Sequence, residues 1–332
     1  MLSQANTGRR YRPRRTRSGT PPPFRLTPRD IDIVGLLAEH RFLNSGQICG
    51  LVDGSPKNIR NRLKGLFELG LLDRPECQYD VYRPGGGSSL AVYALADKGA
   101  RLLARKGRLT DVVRRTHAQN NRRIGRPFLE HELLVADLAV ALHVAIRDRA
   151  RDRARPGIDL IDGARFLSTL PPATRSRARP FRLTTALIHR AARHSLAVEP
   201  DHVFTLVQAA RKHRAHYLIE IDRGTMPIER SDLGASSILR KFLAYQQLWR
   251  TKAHTTQFGW RNFRVLVITS DATRARNMRD CLRRHTAGQG SPLFWFADRT
   301  ILKAPDLLRA TWSDGQGRSR SLDPDRTDNS AD

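Results

Sequence analysis

Two pairs of a capping residue followed by proline fix where helices begin near the N-terminus: Thr27-Pro28 and Ser55-Pro56. A Ser or Thr side chain accepts a hydrogen bond from a free backbone N–H of the first turn, and proline is favoured at the first helical position because it has no N–H. Apolar residues follow each pair at helical spacing, and a shorter apolar run begins after Ser45. This pattern predicts three helices in a helix-turn-helix arrangement.

The residues after the third predicted helix indicate a wing. An extended segment at 79–83, a glycine-rich turn and a second extended segment at 90–95 predict two strands joined by a tight connection. A helix that starts at Asp97 closes this unit. The sequence therefore predicts a winged helix-turn-helix domain over residues 26–106.

The third predicted helix, within residues 55–70, has one apolar face, and its basic and amide side chains lie off that face. Such side chains bind phosphates and base edges when a recognition helix enters the major groove of DNA. The predicted DNA contacts are Lys57, Asn58, Arg60, Asn61 and Lys64 on this helix and Arg83 in the wing. A cationic face that is merely solvated, or that contacts another protein, is the alternative.

The charge of the chain indicates a polyanionic partner. Its 59 Lys and Arg residues against 32 Asp and Glu residues give a formal net charge of +27. A chain this positive repels itself unless a polyanion compensates the charge, so double-stranded DNA is the predicted partner. We find no apolar span of about 20 residues that predicts a membrane helix. Cys49, Cys77 and Cys281 stand in no Cys-x-x-Cys or Cys/His metal spacing, which indicates a reducing cytoplasm and no structural zinc.

The ends of the chain and one internal segment are predicted to lie outside the folded domains. Residues 1–25 contain clustered arginines and several prolines without an acidic residue, which predicts a disordered basic arm. Residues 310–332 are rich in Asp, Ser, Gly and Arg, which predicts a disordered polar tail. Residues 107–126 have weak periodicity and many basic side chains, which is typical of a linker.

Residues 127–309 alternate helical and extended patterns, which predicts a mixed α/β domain, although the segment at 171–195 is not assigned. Asp201 precedes one predicted strand, and Glu220 and Asp222 lie late in the next. Residues i and i+2 of a strand share a face, so the three carboxylates can converge. Converging carboxylates hold Mg²⁺, which can activate water for attack on a phosphate. Strand-end acids that pair with arginines are the alternative.

Several motifs carry a resemblance to known proteins. They are LTPRDIDIVGLL, RNRLKGLFELGLLDR, YALADKG, EHELLVADLAVAL, PDHVF, YLIEIDRGT and KFLAY, spread over residues 26–285. The second domain resembles the PD-(D/E)xK nuclease fold, and the whole order is similar to the replication-relaxation family of plasmids and integrative elements. The resemblance implies a bacterial protein that acts in replication or DNA relaxation, near the origin of a mobile element.

The nuclease resemblance has one departure. The position of the nuclease lysine, two residues after Glu220, holds Asp222. A replacement can come from the following predicted helix, which has an apolar stripe through Ile238. At about 100° per residue, Lys241 lies about 60° from Ile238 and Arg240 about 160° away. Lys241 is therefore predicted to lean toward the sheet, and Arg240 is not.

Two functions stay open at this point. In the first, the protein is a metal-dependent nicking endonuclease with Mg²⁺ as cofactor. His131, which points inward on the first helix of the domain, or its neighbour Glu130 then lines the site; a core histidine satisfied by a hydrogen bond is the alternative for His131. The catalytic residues are then Asp201, Glu220, Lys241 and His131, and the metal ligands are Asp201, Glu220 and Asp222. In the second, the protein is a non-enzymatic transcription or copy-number regulator. Its nuclease-like domain is then a degenerate DNA clamp or a dimerisation scaffold, which leaves a homodimer open.

Overall fold

A computed structural model describes residues 16–19, 23–79, 90–108, 121–152, 155–189 and 192–326. Contacts divide the chain into two compact units, Met1–Glu132 and Leu133–Asp332. Helices and strands alternate along it, so the protein is of the mixed α/β class.

The first unit is built around the helices α1 (Pro28–His40), α2 (Ser45–Leu51), α3 (Pro56–Glu68) and α4 (Asp97–Arg105). Helix α1 begins as predicted, because the side chains of Thr27 and Asp30 each accept a hydrogen bond from the backbone N–H of the other residue. Helix α3 begins after the cap Ser55. The three helices predicted near the N-terminus are confirmed.

Three short strands complete the first unit: β1 (Phe42–Asn44), β2 (Leu72–Asp73) and β3 (Val92–Leu95). They pair antiparallel in the order β1-β3-β2. The strand predicted at 90–95 is confirmed over the range of β3. Tyr79, predicted to begin the other wing strand, instead ends a 3-10 turn at Glu76–Gln78 and is not extended. The residues 80–89, and Arg83 with them, lie outside the described residues.

A buried carboxylate joins α1 to α3. Asp30 is fully buried, and its oxygen atoms accept hydrogen bonds from Thr27 N at 2.7 Å and from Arg62 Nε at 2.9 Å. Burial alone would raise the pKa of Asp30, but the hydrogen bonds from Arg62 and Thr27 lower it below its ordinary value. The ionised carboxylate therefore stabilises the packing of the two helices.

We expect Asp30→Asn to destabilise the first unit by about 2 kcal/mol, since Arg62 loses its buried partner charge. The folded-state pKa of Asp30 is lowered, so this stabilisation is present above the ordinary aspartate pKa of about 4 and is lost as the pH falls through the folded value. Urea denaturation at neutral and acidic pH measures the difference in unfolding free energy between the wild type and Asp30→Asn. Asp32→Asn is the matched control, because the ion pair of Asp32 with Arg108 is exposed and is worth less than about 1 kcal/mol. If Asp30→Asn loses the same amount of stability at acidic as at neutral pH, the stabilising role of the ionised Asp30 carboxylate is contradicted.

Part of the predicted disordered arm packs against α3. Arg17 Nε donates a hydrogen bond to Phe67 O at 2.7 Å. The ring of Phe24 covers Gly65, where a Cβ atom would lie 2.1 Å from a ring carbon. The prediction of disorder is therefore wrong for the described part of residues 1–25, because a glycine on the helix leaves room for an aromatic ring.

The second unit is an α/β fold whose elements follow in chain order. They are α5 (Arg126–Arg151, which begins before the boundary), β4 (Asp159–Ile161), α6 (Gly163–Thr169), α7 (Pro172–Arg175), β5 (Leu183–His189), β6 (Ala192–Val198), β7 (His202–Gln208), β8 (His213–Ile221), α8 (Ile238–Arg250), α9 (Ala253–Phe258), β9 (Arg264–Thr269), α10 (Ala272–Arg284), β10 (Phe294–Asp298), β11 (Trp312–Asp314) and β12 (Ser319–Arg320). The main sheet has the order β12-β11-β10-β9-β8-β7-β4. Strands β8, β9 and β10 are parallel, and the outer pairs are antiparallel.

Side chains of the central strands alternate between two cores, as the period of two requires. Val265 of β9 packs in the core that contains α8 and α10, whereas Leu266 packs in the core that contains α5. In β8, Ile219 and Ile221 belong to the core with α5. Glu220 lies between them and therefore faces α8 and α10.

The unassigned segment at 171–195 folds as α7 and most of the hairpin β5-β6. Leu183 and Leu196 of this hairpin are buried in the core that contains α8. The hairpin thus covers one face of the unit.

The predicted disordered tail is part of the main sheet. Trp312 in β11 is fully buried, and the buried carboxylate of Asp314 accepts hydrogen bonds from Arg318 Nε at 2.9 Å and Arg320 Nε at 3.0 Å. The prediction for 310–332 is therefore wrong over the described residues to 326. The polar composition of this segment hid two features from the sequence analysis. One is the buried apolar side chain of Trp312, and the other is the buried carboxylate of Asp314, which pairs with Arg318 and Arg320.

Candidate functional site

Glu220 is the buried centre of the cluster that the sequence predicts. Its carboxylate accepts a hydrogen bond from the Tyr245 hydroxyl at 2.6 Å and forms an ion pair with the ammonium group of Lys241. Both partners lie on α8, one turn apart. Arg240 points elsewhere, since its Nε donates to Leu233 O at 2.9 Å. The predicted orientations of Lys241 and Arg240 are confirmed.

Asp201 lies beside the end of β8. Its Oδ2 atom accepts a hydrogen bond from Ile221 N at 2.7 Å, and its own N–H donates to Ile219 O at 2.8 Å. These bonds bring the carboxylate next to the strand that carries Glu220. Asp201 adds to the negative field at both Glu220 and Lys241.

Asp222 is held by an arginine that the sequence analysis did not single out. Arg274 in the first turn of α10 donates from Nε at 2.6 Å and from a terminal nitrogen at 3.1 Å, one bond to each carboxylate oxygen of Asp222. Thr269 donates a third hydrogen bond at 2.6 Å. For Asp222, the alternative of a strand-end acid paired with an arginine is therefore what the structure shows.

The charges of this cluster depend on burial. Burial raises the pKa of Glu220, and the ammonium group of Lys241 opposes that shift. Burial works against the charged form of Lys241, but the carboxylates of Glu220 and Asp201 raise the pKa of the lysine above its ordinary value. Burial also raises the pKa of Tyr245, which keeps its hydroxyl protonated as a donor. The carboxylates therefore favour the charged form of the lysine in this cluster.

These contacts do not fit a three-carboxylate Mg²⁺ site. Donors already occupy both oxygen atoms of Glu220 and both of Asp222. Over the part of the chain that the structure describes, Asp201, Glu220 and Asp222 do not bring their oxygen atoms within 4.8 Å of one another. The ammonium group of Lys241 lies in the field of all three carboxylates. A Mg²⁺ ion would have to displace this tethered cation.

Five of the predicted DNA contacts lie on one exposed surface of α3. These are Lys57, Asn58, Arg60, Asn61 and Lys64. Ile59, Leu63 and Leu66, which alternate with them, are fully buried. Within the described residues, none of the three cations forms an ion pair with a carboxylate. Their charges are therefore available to a partner.

A basic cleft lies in the second unit, where β7 turns into β8. It has a volume of about 570 Å³, it contains Trp295, and none of the described residues that line it is acidic. Its arginines are Arg211, Arg214, Arg264, Arg320 and Arg326, of which Arg211 pairs with Asp325 at 3.1 Å and Arg320 with Asp314 at 3.0 Å. Asp201 and Glu220 lie at the other end of these two strands, since Gln208 pairs with His213 and His202 pairs with Ile219. The second unit thus separates a cationic end from an acidic one.

A comparison with protein-family models matches residues 34–261 to replication-relaxation proteins. The match covers more than half of the chain. The chain belongs to the replication-relaxation family. Membership implies a role in the replication or relaxation of a plasmid or a related element. Searches of curated proteins and of solved structures found no similar protein.

The region matched in this replication-relaxation protein contains Asp201, Glu220, Asp222 and Lys241 but ends before Arg274. It spans parts of both compact units. Along the described residues, no helix is long and apolar enough to cross a membrane.

A histidine cluster that the sequence analysis missed adjoins Asp201 of this replication-relaxation protein. An oxygen atom of Asp162 lies 3.1 Å from His143 Nε2 and 3.9 Å from His202 Nε2. Burial lowers the pKa of His202, which favours its neutral form. Its position directly after Asp201 was the signal available in the sequence. His131 is half-buried on α5 within the first unit, and its role in the site stays a prediction.

Proposed function

We propose that this protein binds double-stranded DNA near the origin of a bacterial plasmid or integrative element, in the cytoplasm, and that its second unit grips DNA without cutting it. The observation that carries the proposal is the exposed charge of Lys57, Arg60 and Lys64 on a helix whose opposite face is core. A helix with one charged, exposed face and one buried, apolar face can enter the major groove with the first face while the second stays packed in the domain.

The first unit supports a winged-helix interpretation. Strand β1 lies between α1 and α2, and β2 and β3 pair after α3. In such domains the helix before the paired strands contacts base edges, and the connection between those strands reaches the neighbouring backbone. In this chain residues 74–91 lie between β2 and β3, and of these residues 80–89, with Arg83, lie outside the described part.

The second unit supports a PD-(D/E)xK-like interpretation in which cations of the protein stand where a metal would act. The antiparallel pair β7-β8, the helix α8 and the parallel strand β9 follow in order, with Asp201 before β7 and Glu220 in β8. Lys241 and Arg274 neutralise Glu220 and Asp222. We infer that the acids hold the fold together and that the basic cleft binds phosphates.

A metal-dependent nicking endonuclease is the second candidate. It is favoured by the contact of Lys241 with Glu220 and by the nearby carboxylate of Asp201, since a lysine beside two acids is the nuclease arrangement. Mg²⁺ is commonly bound by one or two carboxylates together with substrate phosphates. In this candidate Asp201 and Glu220 hold the ion, Asp222 does not, and Lys241 must move.

We expect the double substitution Lys57→Ala, Lys64→Ala to weaken DNA binding and to reduce its salt dependence. The slope of log K against log salt is negative, and each phosphate contact that is lost should make it less steep by about 0.9, because fewer counterions are released. Fluorescence anisotropy with a duplex over a series of salt concentrations measures both effects. The matched control is Lys98→Ala, Lys106→Ala, which removes the same charge from exposed positions of the first unit. Equal slopes for the two double variants would refute the role of α3.

A further inference from the structure

Three side chains of different chemistry converge at the end of α10. Cys281 and His285 are four residues apart and therefore lie on one face of the helix end. Glu229 meets them from the segment between β8 and α8. Cys281 Sγ lies 3.7 Å from Glu229 Oε2, and His285 Nε2 lies 2.7 Å from Glu229 Oε1. One ligand atom from each of the three lies within 4.8 Å of the other two.

These separations are close to those of a zinc site. Zinc binds sulfur, nitrogen and oxygen at about 2.0–2.3 Å, so the ligand atoms of a tetrahedral site are about 3.3–3.6 Å apart. The sulfur–oxygen separation of 3.7 Å, measured to Glu229 Oε2, is slightly above this range. The contact of His285 at 2.7 Å is made with the other carboxylate oxygen, Oε1, so the carboxylate has to turn and this pair has to open for zinc to bind. His285 and Glu229 are both partly exposed, so their side chains can move.

We propose that Cys281, His285 and Glu229 bind Zn²⁺, with a water molecule in the fourth position. A thiolate, an imidazole and a carboxylate are the donors that zinc prefers, whereas Mg²⁺ and Ca²⁺ select oxygen donors. The site is separate from Asp201 and Glu220, and it does not depend on DNA binding.

In the structure, the guanidinium group of Arg284 occupies the carboxylate that zinc would bind. Arg284 donates to Glu229 Oε2 at 2.9 Å, and its side chain is 61% exposed. The guanidinium group can therefore turn into solvent when zinc takes the carboxylate. Removal of Arg284 should strengthen zinc binding, because it removes both the repulsion and the competition for Glu229.

Zinc at this position would fasten the connection between β8 and α8 to α10. That connection starts at Asp222 and leads to the helix that carries Lys241. Arg274 of α10 already holds it through the carbonyl of Met226. The ion would add a second attachment near Glu229, so zinc should raise the melting temperature of the second unit.

Titration of the full chain with Co²⁺, a spectroscopic substitute for Zn²⁺, tests the proposal. We expect a thiolate-to-cobalt absorption band that saturates at one equivalent and disappears when Zn²⁺ is added. Cys281→Ser should abolish the band, and Cys49→Ser, at a half-buried thiol of the first unit, should leave it unchanged. His285→Ala should weaken Zn²⁺ binding by more than about tenfold, since even an outer-shell partner is worth 10–100-fold.

Further variants keep the test decisive if Cys281→Ser fails to fold. Glu229→Gln and His285→Ala change partly exposed side chains, and both should weaken Co²⁺ and Zn²⁺ binding with the circular dichroism unchanged. Arg284→Ala should tighten binding several-fold. The proposal is overturned by a wild-type protein without a thiolate band, by a band that persists at full affinity in His285→Ala, or by one that depends on Cys49.

Discussion

Deletion of residues 310–332 is expected to unfold the second unit, although these residues have the composition of a disordered tail. The deletion removes β11, which pairs with β10, and the fully buried ring of Trp312. Loss of a buried tryptophan side chain alone costs about 3–5 kcal/mol, against a typical domain stability of 5–15 kcal/mol. Arg149, which is buried, would also lose its ion pair with Asp323 at 3.0 Å.

Thermal unfolding followed by circular dichroism, together with limited proteolysis, measures this effect. Deletion of 327–332 is the matched control, because it removes none of these contacts. Trp312→Ala should lower the unfolding free energy by about 3–5 kcal/mol without shortening the chain. If the protein without residues 310–332 unfolds cooperatively at the melting temperature of the wild type, the C-terminal strands do not contribute to the stability of the fold.

Lys241→Ala is expected to destabilise the protein and to create a Mg²⁺-binding site that the wild type lacks. The substitution leaves the buried carboxylate of Glu220 without its cation, at a cost of about 2 kcal/mol, less than for a fully buried pair because the lysine is partly exposed. The vacated volume lies in the field of Asp201 and Glu220. Mg²⁺ should therefore raise the melting temperature of the variant and leave that of the wild type unchanged.

The pH dependence of this variant follows from the same charges. Without the ammonium group, burial raises the pKa of Glu220 further, so the carboxyl is protonated at low pH and ionises unfavourably as the pH rises. The deficit in stability should grow with pH. Arg240→Ala is the matched control, since Arg240 has the neighbouring position on α8 and donates to a carbonyl instead. If Mg²⁺ raises the melting temperature of the wild type and not that of Lys241→Ala, Lys241 does not occupy the position of a metal ion.

Local rules explain what could be predicted from the sequence. The cap and proline at Thr27-Pro28 fix the start of α1 because their partners lie within one turn. The orientation of Lys241 follows from the angle per residue on a helix, and the shared face of Glu220 and Asp222 follows from the period of two in a strand. Each of these inferences needs only neighbouring residues.

The parts that were missed depend on partners far away in the chain. Arg274 and Asp222 are 52 positions apart, and no spacing rule selects one arginine among so many. Composition averaged over the C-terminal residues concealed Trp312, whose burial requires the neighbouring strand β10. Cys281 and His285 were passed over because their spacing of four, which places both on one face of a helix, was not counted as a Cys/His metal spacing, and Glu229 comes from another element.

Incubation of supercoiled plasmid that carries the element's origin with the full-length protein tests the central claim most directly. With Mg²⁺ or Mn²⁺ present, we predict that wild-type protein retards the plasmid on a gel but leaves it supercoiled after deproteinisation, as Asp201→Asn also should. Metal-dependent conversion to the relaxed form by the wild type, lost in Asp201→Asn while DNA binding persists, would contradict a clamp and establish the nicking endonuclease.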